Sequence, residues 1–421
     1  MLTTTEEQAK NYDNDPLIAK SISARVLLGL ADTAKRIVSE AHAIDVPILM
    51  LVADTDYVVK QAPQKKFFEN LSSPLKRYVL IKNCFHGIFY ERDVKQAIEA
   101  SKNFINDCYQ IEPLKAEYYQ KADLQSSSAA QFQQLKDGRL GNFVSHLNYD
   151  LQRNLLSRLG RLSDGMSIGL THGFDSGISL DYVYKNKANG RYLIGKTIDR
   201  GYLDAIGWRG IRLRKIQLQN ALSELIEQHP EGKPLRILDV AAGGGRYVLE
   251  TIKRFQTKNI QITLRDYDEN NLSKAKELAM QLQLKNEIEY QYRDAFSLAS
   301  YPVTEDGYEI VIISGLYELF SENSQIIESL KGIKQQLKIN GHIIYTGQPW
   351  HPQLLLIAKT LTNHKGQPWL MRPRPQAELD GLIESIGCKK KDTKIGLEGI
   401  FTVSVAQRLQ SIEEPVLIDY I

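Results

Sequence analysis

Ile237-Leu-Asp-Val-Ala-Ala-Gly-Gly-Gly-Arg-Tyr247 is the stretch on which the reading of this 421-residue chain turns. An apolar strand ends in an acid, Asp239, and breaks at once into glycines. Only glycine lets backbone N–H groups come close to a ligand at a strand-to-helix turn, and the helix that follows offers its unpaired N-terminal donors. The stretch predicts a loop wrapped around an adenosine-containing cofactor.

The spacing bears on which cofactor that is. A dinucleotide fingerprint reads G-x-G-x-x-G, and this loop does not follow it. Asp239, Ala241, Gly243 and Gly245 instead resemble the D-x-G-x-G-x-G loop of class I S-adenosylmethionine-dependent methyltransferases, with Ala241 where that family most often carries its first glycine. Ile260-Gln-Ile-Thr-Leu264 reads as a second strand. Asp266 at its end lies about 20 residues past the glycines, the distance at which a βαβ unit brings an acid to the ribose hydroxyls. A third strand, 288–292, ends in Arg293-Asp294-Ala295-Phe296, similar to the family's acid-plus-small-residue segment. The resemblance implies that Asp294 accepts from the adenine amino group and that Ala295 or Phe296 lies against the ring.

Residues 309–314 form an almost unbroken apolar run, as expected of a strand buried on both faces of a parallel sheet, and Ser314 at its end is a further expected cofactor contact. Leu337-Lys-Ile-Asn-Gly341 and the strand 342–346 resemble the family's turn into strand five, with Asn340 in place of a glycine. A helix over 376–386 and a closing pair, beginning at Cys388 and running through 399–407, complete about seven strands. The expected fold is α/β, a Rossmann-like seven-stranded class I methyltransferase domain with S-adenosyl-L-methionine as cofactor. Taken singly, an acid at a strand end is as readily a helix cap or a surface charge. The ordered series carries the reading.

Composition sets the frame. Hydrophobic content of 43% and charged content of 24% are ordinary for globular protein, and the length allows two or three domains. No apolar run reaches the length of a membrane span, and Met1-Leu-Thr-Thr-Thr-Glu-Glu lacks the basic and apolar regions of a signal peptide. The expected location is therefore the cytosol, without a membrane span. A net charge of +3 gives no argument for a nucleic-acid partner. Cys84, Cys108 and Cys388 are too far apart for a metal pair and read as reduced thiols, so no metal is expected.

Residues 1–110 read as α/β sequence of another kind. Val46-Pro-Ile-Leu-Met-Leu-Val52 is a strand, Ala53-Asp-Thr-Asp-Tyr-Val-Val59 a loop with two acids, Tyr78-Val-Leu-Ile81 a second strand, and Phe85-His86-Gly87 a loop before a helix over 94–105. The pattern resembles the C-terminal third of serine α/β-hydrolases of the monoglyceride-lipase and lysophospholipase type. That resemblance implies Asp56 as the acid and His86 as the base of a triad. In that fold a G-x-S-x-G elbow precedes both, and nothing before Asp56 supplies one. Gly165-Met-Ser-Ile-Gly169 follows both, with no buried strand ahead of it. The expectation is a partial α/β-hydrolase segment, inactive alone and with Asp56 and His86 as relics, unless a separate partner chain supplies the missing half.

Residues 111–145 read as a polar linker, and 146–421 as the methyltransferase domain with a helical lead-in over 146–230. Gly173-Phe-Asp-Ser-Gly177, Ser179-Leu-Asp-Tyr-Val-Tyr184 and Gly207-Trp-Arg-Gly-Ile-Arg212 resemble the lead-in of a group of bacterial methyltransferases that are fused to a serine-hydrolase domain. Ile211, Leu218, Leu222 and Leu225 share one helical stripe, which should face the sheet. Arg209 and Arg212 lie off it and are candidate ligands for an anionic acceptor, against the alternative of solvated helix arginines. Tyr247, Tyr317, Trp208 and Trp350 are candidates to shield the cofactor's sulfonium.

Methyl transfer is an in-line displacement, so placing the acceptor is the main catalytic task. A base is needed only where the acceptor must lose a proton. Tyr317, Glu318 and His351 follow strands four and five and are the candidate catalytic groups. Ser314-Gly-Leu-Tyr-Glu318 lacks the N-P-P-Y motif of nucleobase amino methyltransferases, so the expected acceptor is a small molecule or lipid-like compound rather than nucleic acid. The lipid option rests on analogy with the hydrolase segment. The rivals are a cofactor-binding scaffold that has lost its chemistry and an NAD-dependent oxidoreductase, which the glycine spacing disfavours.

Overall fold

A computed structural model describes residues 3–410 apart from 20, 42–43, 45, 72, 74, 92–93, 111–115, 141–142 and 304–305. The chain divides into two compact units, residues 1–114 and 115–421. In the first, β1 (Ile48–Ala53) and β2 (Lys76–Ile81) pair in parallel, joined through the helix Gln61–Asn70. Such a crossover is what a parallel pair requires. Ala53, Ile81, Cys84 and, from the helix Lys95–Gln110, Ala97 form its small core.

The second unit holds β3 (Leu235–Val240), β4 (Ile260–Asp266), β5 (Glu287–Tyr292), β6 (Tyr308–Ile313), β7 (Leu337–Gly347), β8 (Cys388–Ile395) and β9 (Thr402–Arg408). They form one sheet in the order β5-β4-β3-β6-β7-β9-β8. The first five in this order are parallel, whereas β9 runs antiparallel to both β7 and β8. This is the seven-stranded Rossmann-like sheet expected of a class I methyltransferase. From β3 the chain winds outward to β4 and β5, then crosses back to β6, so the strand order reverses between β3 and β6. Open α/β sheets bind ligands at that switch point, beyond the carboxyl ends of the strands.

Period-two alternation explains the two core layers. Ile310 and Ile312 of β6 pack with Leu218, Leu222 and Val248 on one face, and Val311 and Ile313 pack with Ile326, Leu330 and Leu382 on the other. Both faces are covered, which is why this strand reads as an unbroken apolar run.

Two details differ from expectation, the linker and the turn into strand five. Residues 116–136, read as part of a linker, form the short helices Ala116–Gln120, Ala122–Gln125 and Ser127–Lys136 and belong to the second unit. The Asn323 backbone N–H donates to the Asp123 carboxylate at 2.7 Å, and Arg372 donates to the buried Ser128 hydroxyl at 2.8 Å. A polar composition here serves buried hydrogen bonds rather than solvation. The turn expected at 337–341 lies inside β7, with Asn340 at φ +63°. The Gly165-Met-Ser-Ile-Gly169 string sits inside the helix Asp164–His172, where a Cβ on Gly165 or Gly169 would come within 2.7 or 2.3 Å of neighbouring aromatic rings. Those glycines make room for Tyr182, Tyr202 and Phe174. Among the described residues no helix is long and apolar enough to cross a membrane.

Candidate functional site

Ala241, Gly243 and Gly245, just past β3, take φ values of +58°, +56° and +59°. The position where the resemblance has glycine thus demands a left-handed backbone, and Ala241 adopts it at a strain of about 1–2 kcal/mol. The loop is tied to the end of β4. The Gly243 N–H donates to Asp266 Oδ2 at 2.8 Å, while Asp266 Oδ1 accepts from the Asp268 N–H at 2.9 Å and from Asn271 at 3.2 Å. Burial raises the Asp266 carboxyl above its ordinary value in spite of these bonds.

Ala241, Gly243, Gly245, Asp266, Asp294, Ala295, Phe296 and Ser314 all line one cleft of about 1160 Å³. Asp294 Oδ1 caps its own turn by accepting from the Phe296 N–H at 2.9 Å. Asp239 is placed differently, behind the wall. Its Oδ1 accepts from the Tyr247 hydroxyl at 2.6 Å, its Oδ2 has no partner, and burial pushes it up to about 8. Tyr247 reaches the cleft wall, where Asp239 does not.

A second cavity of about 410 Å³ adjoins the cleft and shares Asp175, Leu180, Arg214, Gly315 and Leu319 with it. Its walls are largely apolar and aromatic, with Phe174, Tyr202, Trp208, Trp369 and Phe401 among them. Trp208 stacks on Trp369, centroids 6.3 Å apart and planes at 26°, and Trp350 packs against the same cluster.

Inside this apolar wall lies an ion pair. Arg214 and Glu318 are 3% and 6% exposed, with Arg214 Nη1 3.4 Å from Glu318 Oε1. The same oxygen accepts from the Thr346 hydroxyl at 2.6 Å, and the guanidinium lies 4.9 Å from the centre of the Phe401 ring. Arg214 was missed in the sequence, although a signal existed. It falls on the Ile211–Leu218 stripe of the helix Ile206–Gln228, and a charge on an apolar stripe is costly to bury unless paired.

His351 also lies in the chamber wall. Its Nδ1 accepts from the Gln353 backbone N–H at 3.1 Å, so the ring proton sits on Nε2. Burial pulls its pKa down to about 4. The unfolded chain takes up a proton near pH 6.5 and the folded chain refuses it until about pH 4, so the unfolded state binds more protons in that window. Stability is intact above pH 6.5 and falls on acidification toward pH 4, by up to about 3 kcal/mol from this group. Denaturant melts of His351→Gln across that window should show a shallower decline than the native protein. Equal slopes would remove His351 as the cause.

Other nominated residues lie elsewhere. Tyr317 is buried and donates to Ser329 at 2.9 Å, outside both cavity walls. Arg209 is exposed and pairs with Glu398 at 3.5 Å, and Arg212 donates to the Leu203 carbonyl at 2.9 Å. Neither arginine lines either cavity. The helix turns them away because the stripe between them faces the core. A further pair had no sequence signal at all: His364 Nδ1 lies 2.9 Å from Asp175 Oδ2, and both line the cleft. In the first unit His86 Nδ1 lies 3.0 Å from Asp56 Oδ2, which brings the two hydrolase-like residues together. Burial pushes Asp56 up, yet bonds from His86 and from the Val59 and Val58 N–H groups hold it below the ordinary carboxylate range.

The family described as "Putative methyltransferase" matches residues 101–408. The chain belongs to this methyltransferase family. A hydrolase family described as "Serine aminopeptidase, S33" matches residues 1–93, so a hydrolase-type segment is fused ahead of the methyltransferase domain. The uncharacterized protein YnbC of Escherichia coli K12 is 39% identical over 409 residues, covering 97% of this chain and 70% of YnbC. A "possible exported protein" from Bordetella parapertussis superposes with a TM-score of 0.49 at 16% identity, over 67% of this chain and 95% of that one. Magnesium protoporphyrin IX methyltransferase from Synechocystis, solved with bound SAH, gives a TM-score of 0.41 at 12% identity, over 56% of this chain and 97% of that one. The hydrolase-like dyad and the two adjoining cavities of the methyltransferase-family domain are thus parts of one fused chain.

Proposed function

We propose that the second unit transfers a methyl group from S-adenosylmethionine to a small-molecule or lipid-like acceptor. The observation that carries this reading is the shared wall: cleft and chamber meet at Gly315, immediately beyond β6, where the strand order reverses. The cleft suits the cofactor in size and chemistry. Its roughly 1160 Å³ exceeds the usual small-ligand pocket, its loop backbone is left-handed where close approach is needed, and it presents carboxylates from Asp266 and Asp294.

In this reading Asp266 holds the ribose hydroxyls, and Asp294 the adenine amino group with Ala295 and Phe296 against the ring. Ala241, Gly243, Gly245 and Ser314 line the remainder, and Asp239 acts from behind by fixing Tyr247. When bound, the cofactor supplies an electrophilic methyl on a sulfonium. The chain's own part is to orient an acceptor against that methyl at Gly315, exclude water with the aromatic chamber, and hold Glu318 ready for a departing proton. Calorimetric titration with S-adenosylhomocysteine tests this. Micromolar binding, weakened at least about tenfold in Asp266→Ala by the loss of charged hydrogen bonds, is the expected result. Unchanged binding in the variant would remove Asp266 from the site, and no binding by the folded native chain would leave the scaffold reading in its place.

The first unit we read as silent in ester hydrolysis. Its Asp56–His86 dyad is assembled, but no serine on a strand-to-helix elbow accompanies it among the described residues. The purified chain is expected not to cleave p-nitrophenyl butyrate. Cleavage that disappears in His86→Ala would overturn this, and cleavage only after co-expression with a chain carrying a G-x-S-x-G elbow would establish complementation.

A further inference from the structure

Five buried polar atoms without a partner belong to residues of the chamber wall: Asp175 Oδ1, the Tyr202 hydroxyl, Arg214 Nε, Glu318 Oε2 and Trp369 Nε1. Leaving one such atom unpaired costs about 1–3 kcal/mol, so native proteins rarely keep them without reason. Here the five residues that carry them share one cavity wall. They also come from separate parts of the fold: Asp175 precedes the helix Gly177–Lys185, Tyr202 ends the helix Tyr192–Leu203, Arg214 lies in Ile206–Gln228, Glu318 follows β6 and Trp369 lies between β7 and β8.

Their chemistry describes a guest. Trp369 and Arg214 can only donate, the two carboxylates can only accept, and the Tyr202 hydroxyl does either. A matching ligand presents both hydroxyl protons and oxygen lone pairs, on more than one side. An acyl chain carries its polar group at one end and fits this badly. Charge narrows the class further. Arg214 is the only Lys or Arg in the described wall, and Glu318 already neutralises it, so a phosphate or carboxylate head would enter without a counter-charge. Rings among the wall residues, Trp208, Trp369, Phe174 and Phe401, favour a flat aromatic body.

We infer that the acceptor is an uncharged, polyhydroxylated aromatic compound, methylated on a hydroxyl oxygen whose proton passes to Glu318. This rests on the methyltransferase reading above. In the step the hydroxyl oxygen's lone pair forms the new O–C bond, the C–S bonding pair returns to the sulfur of S-adenosylmethionine, leaving S-adenosylhomocysteine, and the hydroxyl proton moves to a Glu318 oxygen. Glu318 then gives that proton to solvent as the product leaves.

The chain has three tryptophans, Trp208, Trp350 and Trp369, and all three belong to the aromatic cluster at the chamber. Intrinsic fluorescence therefore reports on it directly. The probes are 2,7-dihydroxynaphthalene, its dimethyl ether and oleoyl lysophosphatidate, each titrated into the full chain saturated with S-adenosylhomocysteine. S-adenosylhomocysteine binding is measured separately by calorimetry. Saturable quenching by dihydroxynaphthalene is expected, with the dimethyl ether at least about tenfold weaker because both carboxylates lose their donors. Tyr202→Phe, which removes only an unpartnered hydroxyl, should weaken dihydroxynaphthalene several-fold while leaving S-adenosylhomocysteine binding unchanged and the ligand-free melting temperature equal to or above that of the native chain. Equal or tighter binding of the dimethyl ether, binding of lysophosphatidate alone, or no binding of any probe would overturn the acceptor class. Dihydroxynaphthalene binding by a chain that calorimetry shows not to take S-adenosylhomocysteine would overturn the methyltransferase reading itself.

Discussion

Glu378→Ala is expected to destabilise the second unit by about 3–5 kcal/mol, the range for breaking a buried ion pair from one side. Arg372, Arg374 and Glu378 are 3%, 3% and 2% exposed. Glu378 is the carboxylate both arginines contact: Arg372 Nη1 meets Oε2 at 3.0 Å, Arg372 Nη2 meets Oε1, and Arg374 Nε reaches Oε1 at 3.2 Å. Burial and the neighbouring Arg372 charge already pull Arg374 down to about 10. Without Glu378 two guanidinium groups would share a dry site with only neutral partners. The consequence reaches the chamber, because Arg374 also donates to the Tyr317 and Phe320 carbonyls at 2.7 and 2.9 Å and so fixes the segment that carries Glu318. Denaturant unfolding of the variant, with Glu378→Gln as the shape-preserving control, measures the effect. A loss below about 1 kcal/mol in the alanine variant would show that the arginines re-pair.

The second large effect is on turnover. Glu318→Gln keeps the side chain's volume and leaves the amide oxygen free to take the bonds from Thr346 and Arg214, but it can no longer receive a proton. The rate constant for O-methylation should fall by about 10²–10⁴, the span that a positioned general base contributes, with binding of S-adenosylhomocysteine unaltered. Single-turnover transfer of labelled methyl to dihydroxynaphthalene separates this from a binding defect. A drop of less than about tenfold would leave Glu318 with a purely structural role.

What was legible in the sequence was local. Asp239, the glycines and Asp266 span one βαβ unit, and the buried strands β3, β4, β6 and β7 carry their own apolar runs, whereas the edge strand β8 (Cys388–Ile395) is mostly lysine and polar residues and followed only from the family resemblance. The chamber is the opposite case. Arg214 and Glu318 are 104 residues apart, and His364 and Asp175 are 189 apart, so nothing in either neighbourhood announces the pair. Tyr317 and Glu318 show the limit most sharply. They are adjacent, both buried and equally nominated, yet the short helical turn Tyr317–Leu319 sends the tyrosine hydroxyl to Ser329 and sets the carboxylate at the chamber. Asp239 illustrates another limit. A motif position fixes a residue beside the ligand loop, but whether it touches the cavity depends on Tyr247, eight residues on.

In the proposed reading the two cavities meet where the methyl group is handed over. A crystal structure of the full chain with S-adenosylhomocysteine tests it most directly. The expected result is adenosine in the larger cleft, its ribose on Asp266 and its base between Asp294 and Phe296, with the sulfur at Gly315 facing the aromatic chamber. Adenosine lodged in the chamber, or a sulfur turned away from Gly315, would contradict it.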